Sequence, residues 1–157
     1  MRKLFLLLLF VSGFAFGQKM PNIAKVWLNN NYYYTGTISK ENIPMKVKIV
    51  ISEQDKRNNE EYFISGLSIV DKTLVNFEGK IKITQYKDGK KKSNVYGEYE
   101  FAEEKKGKHS GIFTGKFIYT FQWNKKKQVI ENQYIQFIGD WKSYDGTMIH
   151  RTDWKNQ

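Results

Sequence analysis

The chain has 157 residues, no cysteine and a formal net charge of +10. Without cysteine it cannot be a disulfide-stapled secreted scaffold, so its core is held by packing alone. The positive charge is mostly lysine, since Arg2, Arg57 and Arg151 are the only arginines among 26 basic residues, and the scarcity of guanidinium forks argues against a reader of nucleic acid.

Residues 1–17 read as an export leader. Arg2 and Lys3 form a basic start, Leu4 to Val11 an unbroken apolar run, and Ala15 and Gly17 put small residues where a signal peptidase cuts, before Gln18. The run is shorter than the ~20 residues that span a bilayer, and no cysteine follows it for lipid attachment. The expected product is one domain, residues 18–157, with no integral membrane segment, in the periplasm or outside the cell.

Pro21 to Asn30 is the one stretch with helical spacing: Ile23, Val26 and Trp27 lie three and four apart, and Pro21 suits a helix start. It is expected either to cross one end of the fold as a plug or to be an ordered loop whose tryptophan fills the core. Tyr32-Tyr33-Tyr34 follows. Strand neighbours alternate faces, so at least one of these tyrosines is exposed, beside Asn29 to Asn31, as a polar-aromatic contact surface.

From Asn31 onward, period-two alternation predicts eight strands, over 31–39, 43–52, 61–70, 74–86, 91–102, 110–124, 129–141 and 147–154. Met45, Val47, Ile49 and Ile51 share one face of the second, opposite Lys46 and Lys48. Phe113, Gly115, Phe117, Tyr119, Phe121 and Trp123 form the inward row of the sixth. Asp88-Gly89 and Asp145-Gly146 suit tight hairpins that need positive φ. Arg57 to Asn59, Lys105 to Lys108 and Asn124 to Lys127 read as longer charged tips.

Consecutive hairpins give a single antiparallel up-and-down meander. Such strands bury their apolar faces by closing into a β-barrel or by stacking as a β-sandwich. Gly36, Gly79, Gly97, Gly115 and Gly139 all fall in the inward register beside large residues, which favours closure because a missing side chain lets a strand bend or leaves interior room. The expected class is all-β, a closed barrel with a short N-terminal helix, and the sandwich is its alternative.

The run Tyr34-Thr35-Gly36-Thr37-Ile38, the pairs Gly97-Glu98-Tyr99 and Gly115-Lys116-Phe117, and Phe137-Ile138-Gly139-Asp140-Trp141 resemble the calycin group of secreted β-barrels, in particular avidin-like and lipocalin-like proteins. The resemblance implies a barrel that encloses a ligand. The lipocalin Gly-x-Trp is not matched, because Lys25-Val26-Trp27 has lysine in glycine's place.

The sequence holds no cysteine nucleophile, no Gly-x-Ser-x-Gly elbow and no phosphate-cradling loop. His109 and His150 lack metal-ligand spacing, and Glu60-Glu61 and Glu103-Glu104 read as solvated charge beside turns. The expectation is therefore a binding protein that is not an enzyme and uses no metal or cofactor. Aromatics make up 16% of the chain, and Tyr99, Tyr119, Trp123, Phe137 and Trp141 are the candidate lining of a cavity for a small apolar or amphipathic ligand. A filled core is the alternative use of those rings. A second reading is an exported inhibitor or immunity protein that grips an acidic protein partner through Lys90 to Lys92, Lys105 to Lys108 and Lys125 to Lys127.

Overall fold

The computed structural model describes residues 21–157. The leader and its cleavage point after Gly17 lie outside the described residues. The alternating segments form β1 (Tyr34–Ile38), β2 (Ile43–Gln54), β3 (Glu61–Val70), β4 (Thr73–Lys87), β5 (Ser93–Glu103), β6 (Gly111–Asn124), β7 (Val129–Ser143) and β8 (Ile149–Lys155). Each strand pairs antiparallel with the next, and β1 also pairs with β8, so the sheet closes into an eight-stranded barrel. Ahead of it stands one short helix, α1 (Ala24–Trp27).

The interior is built by setting large side chains against absent ones. One row of paired residues runs Gly97, Phe117, Phe137, Trp154, Gly36 across β5 to β8 and on to β1. The neighbouring row runs Tyr99, Gly115, Gly139, Thr152, Ile38 across the same strands. Rings in the first row therefore stand beside bare backbone in the second, the large-against-small layering a small barrel needs. Phe137 and Trp154 stack with centroids 3.9 Å apart, and Tyr99 meets both edge-on at 5.2 and 5.7 Å.

Gly115 and Gly139 face each other so closely that a Cβ on Gly115 would lie 2.2 Å from the Ile138 carbonyl oxygen and 2.6 Å from the Gly139 Cα. At Gly97 a Cβ would lie 2.4 Å from the Phe117 ring.

One sequence expectation changes at a bulge. Between the pairs Ile49↔Gly66 and Ile51↔Ser65, Val50 is an extra residue. The face flips there, and Ile51, expected inward with Met45, Val47 and Ile49, is 44% exposed. On β7, Asn132 and Gln133 together oppose Phe121, with Asn132 at φ 53°. The turns divide as well: Gly146 has the expected positive φ of 73°, but Gly89 is not among the positive-φ residues, and the β4–β5 connection spans residues 88–92.

Glu103 is the clearest departure. Expected to be solvated, it is buried and accepts hydrogen bonds from Ser68 Oγ at 2.6 Å, Trp141 Nε1 at 2.8 Å and the Gly111 amide at 3.0 Å. This carboxylate ties β3, β5, β6 and β7 together near one end of the barrel. Its neighbour Glu104 is the solvated one, 2.9 Å from Lys106 Nζ.

Burial raises the Glu103 pKa against the three donors that lower it. A carboxyl with a raised folded pKa stabilises fully below its unfolded value, about 4.3, and that contribution is lost as pH rises through the folded value. The stability advantage of wild type over Glu103→Gln, followed by urea unfolding, should therefore fall as pH rises from about 4.3; an advantage that grows over that range contradicts the assignment. Gly115→Ala should cost about 1–3 kcal/mol by overpacking, read as a lower urea midpoint, and an unchanged midpoint would show that the two strands do not meet as described.

Candidate binding site at the plugged end of the barrel

In an up-and-down barrel the turns after even strands share one end with the segment before β1 and the residue after β8. That end is closed by residues 23–31. Trp27 of α1 is fully buried, with its ring edge-on to Phe117, Tyr62 and Tyr119 at 5.0, 6.0 and 6.1 Å. Tyr34 Oη donates to the Trp27 carbonyl at 2.9 Å, and the Ile23 amide donates to Tyr62 Oη at 3.2 Å. The plug expectation and the core-filling expectation for this segment thus describe the same residue.

The chain leaves the plug through three consecutive asparagines in the left-handed region, Asn29, Asn30 and Asn31, with φ of 49°, 52° and 68°. Asparagine is the side chain that best tolerates this backbone, and such strain concentrates where a surface has to be shaped.

Beside the plug lies a groove of about 480 Å³ between residues 25–32, β7 and the last two residues. Val26, Tyr32, Ile130 and Ile135 make its apolar part, and Asn29, Asn30, Gln133 and Asn156 line it with amides. Asn156 is held by the Ile135 amide, which donates to its Oδ1 at 2.8 Å. Gln133 Oε1 accepts from Tyr119 Oη at 2.9 Å. The groove is therefore preformed, and its amides present both donors and acceptors.

The five aromatic residues expected to line one cavity are spread along the barrel axis. Tyr99, Tyr119, Phe137 and Trp141 are buried in the ring cluster, and Trp141 lies near the opposite end with its indole N–H on Glu103. Trp123 keeps the inward register, yet it is 48% exposed because β6 and β7 run on past the rim. Its cross-strand partner Ile130 belongs to the groove wall.

Deeper inside, Tyr99 Oη, Thr152 Oγ1 and Trp154 Nε1 are buried without a hydrogen-bond partner among the described residues. Tyr99 sits against the other two, and burial pushes its hydroxyl up to about 12.

Other surfaces fit a ligand less well. A hollow of about 780 Å³ on the outside of β3 to β6 is bordered by Glu61, Lys80 and Lys82, whose charges pair with one another at 3.6 and 3.9 Å. His109 is exposed, His150 stacks on Trp141, and no cluster of three potential metal ligands occurs among the described residues. No helix among the described residues is long and apolar enough to cross a membrane.

The basic tips do not form one surface. Lys90 to Lys92 and Lys125 to Lys127 share the plugged end, and Lys105 to Lys108 lie at the other. The groove could not be found from periodicity, because it is assembled from residues 25–32, the bulged part of β7 and residues 156–157. The asparagine run and the exposed Tyr32, at 72%, were its one visible trace.

No protein-family model, curated protein or solved structure matches the chain. The closed eight-stranded antiparallel barrel is compatible with the calycin architecture that its Gly-x-aromatic pairs resemble.

Trp27 fills the top of the ring column, so Trp27→Ala should cost about 3–5 kcal/mol of unfolding free energy. A loss below about 1 kcal/mol in urea titration would mean that the plug is not part of the core.

Proposed function

We propose that the protein is an exported, non-enzymatic binding barrel, processed to residues 18–157, that holds a small amphipathic ligand at its plugged end. The groove beside Trp27 carries this reading. Its floor and wall, Val26, Ile130 and Ile135, suit an apolar tail, and its amides, Asn29, Asn30, Gln133 and Asn156, suit a polar head. Trp123 stands over Ile130 as an accessible ring. Tyr99, Tyr119, Phe137 and Trp141 serve as the rigid support that keeps the site open.

A second reading places the ligand within the aromatic barrel itself, with Trp27 displaced. It is favoured by the unpartnered Tyr99 hydroxyl, Thr152 hydroxyl and Trp154 indole N–H, which would receive the polar atom of such a ligand.

Titrating tryptophan emission with monomeric decyl maltoside and with dodecanoate separates the two. Saturable binding that Ile130→Glu abolishes and Tyr99→Phe leaves intact supports the groove. The reverse pattern moves the ligand inside. No saturable change with either probe, in a protein whose unfolding midpoint is normal, overturns the binding reading.

A further inference from the structure

We propose that the plugged end of the barrel docks on an anionic lipid surface, with Trp123 in the headgroup layer and the lysines of the β4–β5 and β6–β7 tips against the phosphates. This concerns a surface, and it stands whether or not the groove holds a soluble ligand.

Shape is the first observation. The last β5–β6 pair is Ser93↔Phe121, but β6 and β7 remain paired to Asn124↔Val129. The hairpin therefore projects about 10 Å beyond its neighbour at ~3.3 Å per residue. It carries exposed apolar side chains on both faces: Trp123 and Ile130 in the inward register, and Val129 on the other. Tyr86, at the end of β4, is exposed on the same rim. Of the four tryptophans, Trp27, Trp141 and Trp154 are buried, so Trp123 is the single indole available to a partner.

Charge is the second. The β6–β7 tip holds Lys125, Lys126 and Lys127 with no acid, and the β4–β5 tip holds Lys90, Lys91 and Lys92 beside Asp88 alone. Asp88 is occupied by a hydrogen bond from Ser93 Oγ at 2.6 Å. Among the described residues only Lys127 of these six makes a salt bridge, to Glu131 at 3.0 Å. The other five ammonium groups have no carboxylate partner to give up on binding.

The β6–β7 tip is also ordered in advance. Asn124 Oδ1 accepts from the amides of Lys126 and Lys127, both at 3.1 Å, and Gln128 Nε2 donates to the Lys125 carbonyl at 2.8 Å.

The opposite end lacks this combination. It exposes Ile43, Leu74, Tyr144 and Ile149, but Lys40 is followed by Glu41, Asp71 by Lys72, and the β7–β8 turn contributes Asp145 as its one charge. At its one basic tip, Lys106 is paired with Glu104.

Lysine ammonium groups are non-directional charges that sum over a surface of phosphates, whereas bidentate recognition draws on arginine. An interfacial tryptophan flanked by lysines is the arrangement that satisfies both layers of a headgroup region. The chemistry of this rim therefore fits a plane of anionic headgroups.

The test uses the mature chain with mixed phosphatidylcholine–phosphatidylglycerol vesicles and with pure phosphatidylcholine vesicles. Expected are co-sedimentation with the anionic vesicles only, weakening with salt, and quenching of Trp123 emission by bromine-labelled acyl chains. Changing Lys90, Lys91, Lys92, Lys125, Lys126 and Lys127 to Glu should weaken binding by at least about a hundredfold. Changing Lys105, Lys106 and Lys108 to Glu should leave it within about twofold.

Equal binding to both vesicle types overturns the proposal, as does equal sensitivity to the two sets of lysines. Tight binding to dextran sulfate with no bromine quenching on vesicles also overturns it, assigning the rim to a soluble acidic polymer. Decyl maltoside binding in the lysine variants reads the groove independently, so the two proposals fail separately.

Discussion

Closing eight strands into a ring fixes how much interior there is to fill, and this chain fills it by standing rings beside missing side chains in adjacent rows. Gly115 and Gly139 leave bare backbone between Tyr99 and Thr152, and the Phe117, Phe137 and Trp154 rings rise in the row alongside. Remove that complementarity and the strands cannot approach, the rings cannot stack, and Trp27 has nothing to sit on. The buried polar atoms follow from the same arrangement. Tyr99 Oη, Thr152 Oγ1 and Trp154 Nε1 are carried inward by residues whose bulk the packing requires, and polar groups brought together in this way are where an interior water or a ligand atom is accommodated most readily.

The rows themselves were legible because a strand's side chains repeat every two residues whatever the rest of the chain does. Met45, Val47 and Ile49 needed no partner to be identified. Ile51 did, because the bulge at Val50 exists only as a mismatch between two strands. Trp123 was legible as to face but not as to depth: its exposure depends on how far β6 and β7 outrun β5. Glu103 was illegible for a related reason, since the three donors that make its burial tolerable come from Ser68, Gly111 and Trp141, on other strands. The groove is the extreme case, formed by residues 25–32, strand β7 and the last two residues.

The two ends of the barrel have different characters. One is stitched by a buried carboxylate and bears nearly balanced turns. The other is capped by a single tryptophan, shaped by three left-handed asparagines, and carries an accessible indole with lysine-rich tips at two of its three turns. Preformed amides, the accessible indole and the larger excess of lysine gather at this second end. We therefore propose the binding role there and read the interior aromatics as its support.

The central claim is that the interior is packed solid with rings while one indole stands outside. Acrylamide quenching of the tryptophan emission of the purified protein measures this directly. The account predicts a downward-curving quenching plot with a minor accessible fraction that disappears in Trp123→Phe, the remaining emission being protected until the protein unfolds. Uniform quenching of all four tryptophans in the native protein, unchanged in shape by Trp123→Phe, would contradict it and describe a barrel open to solvent.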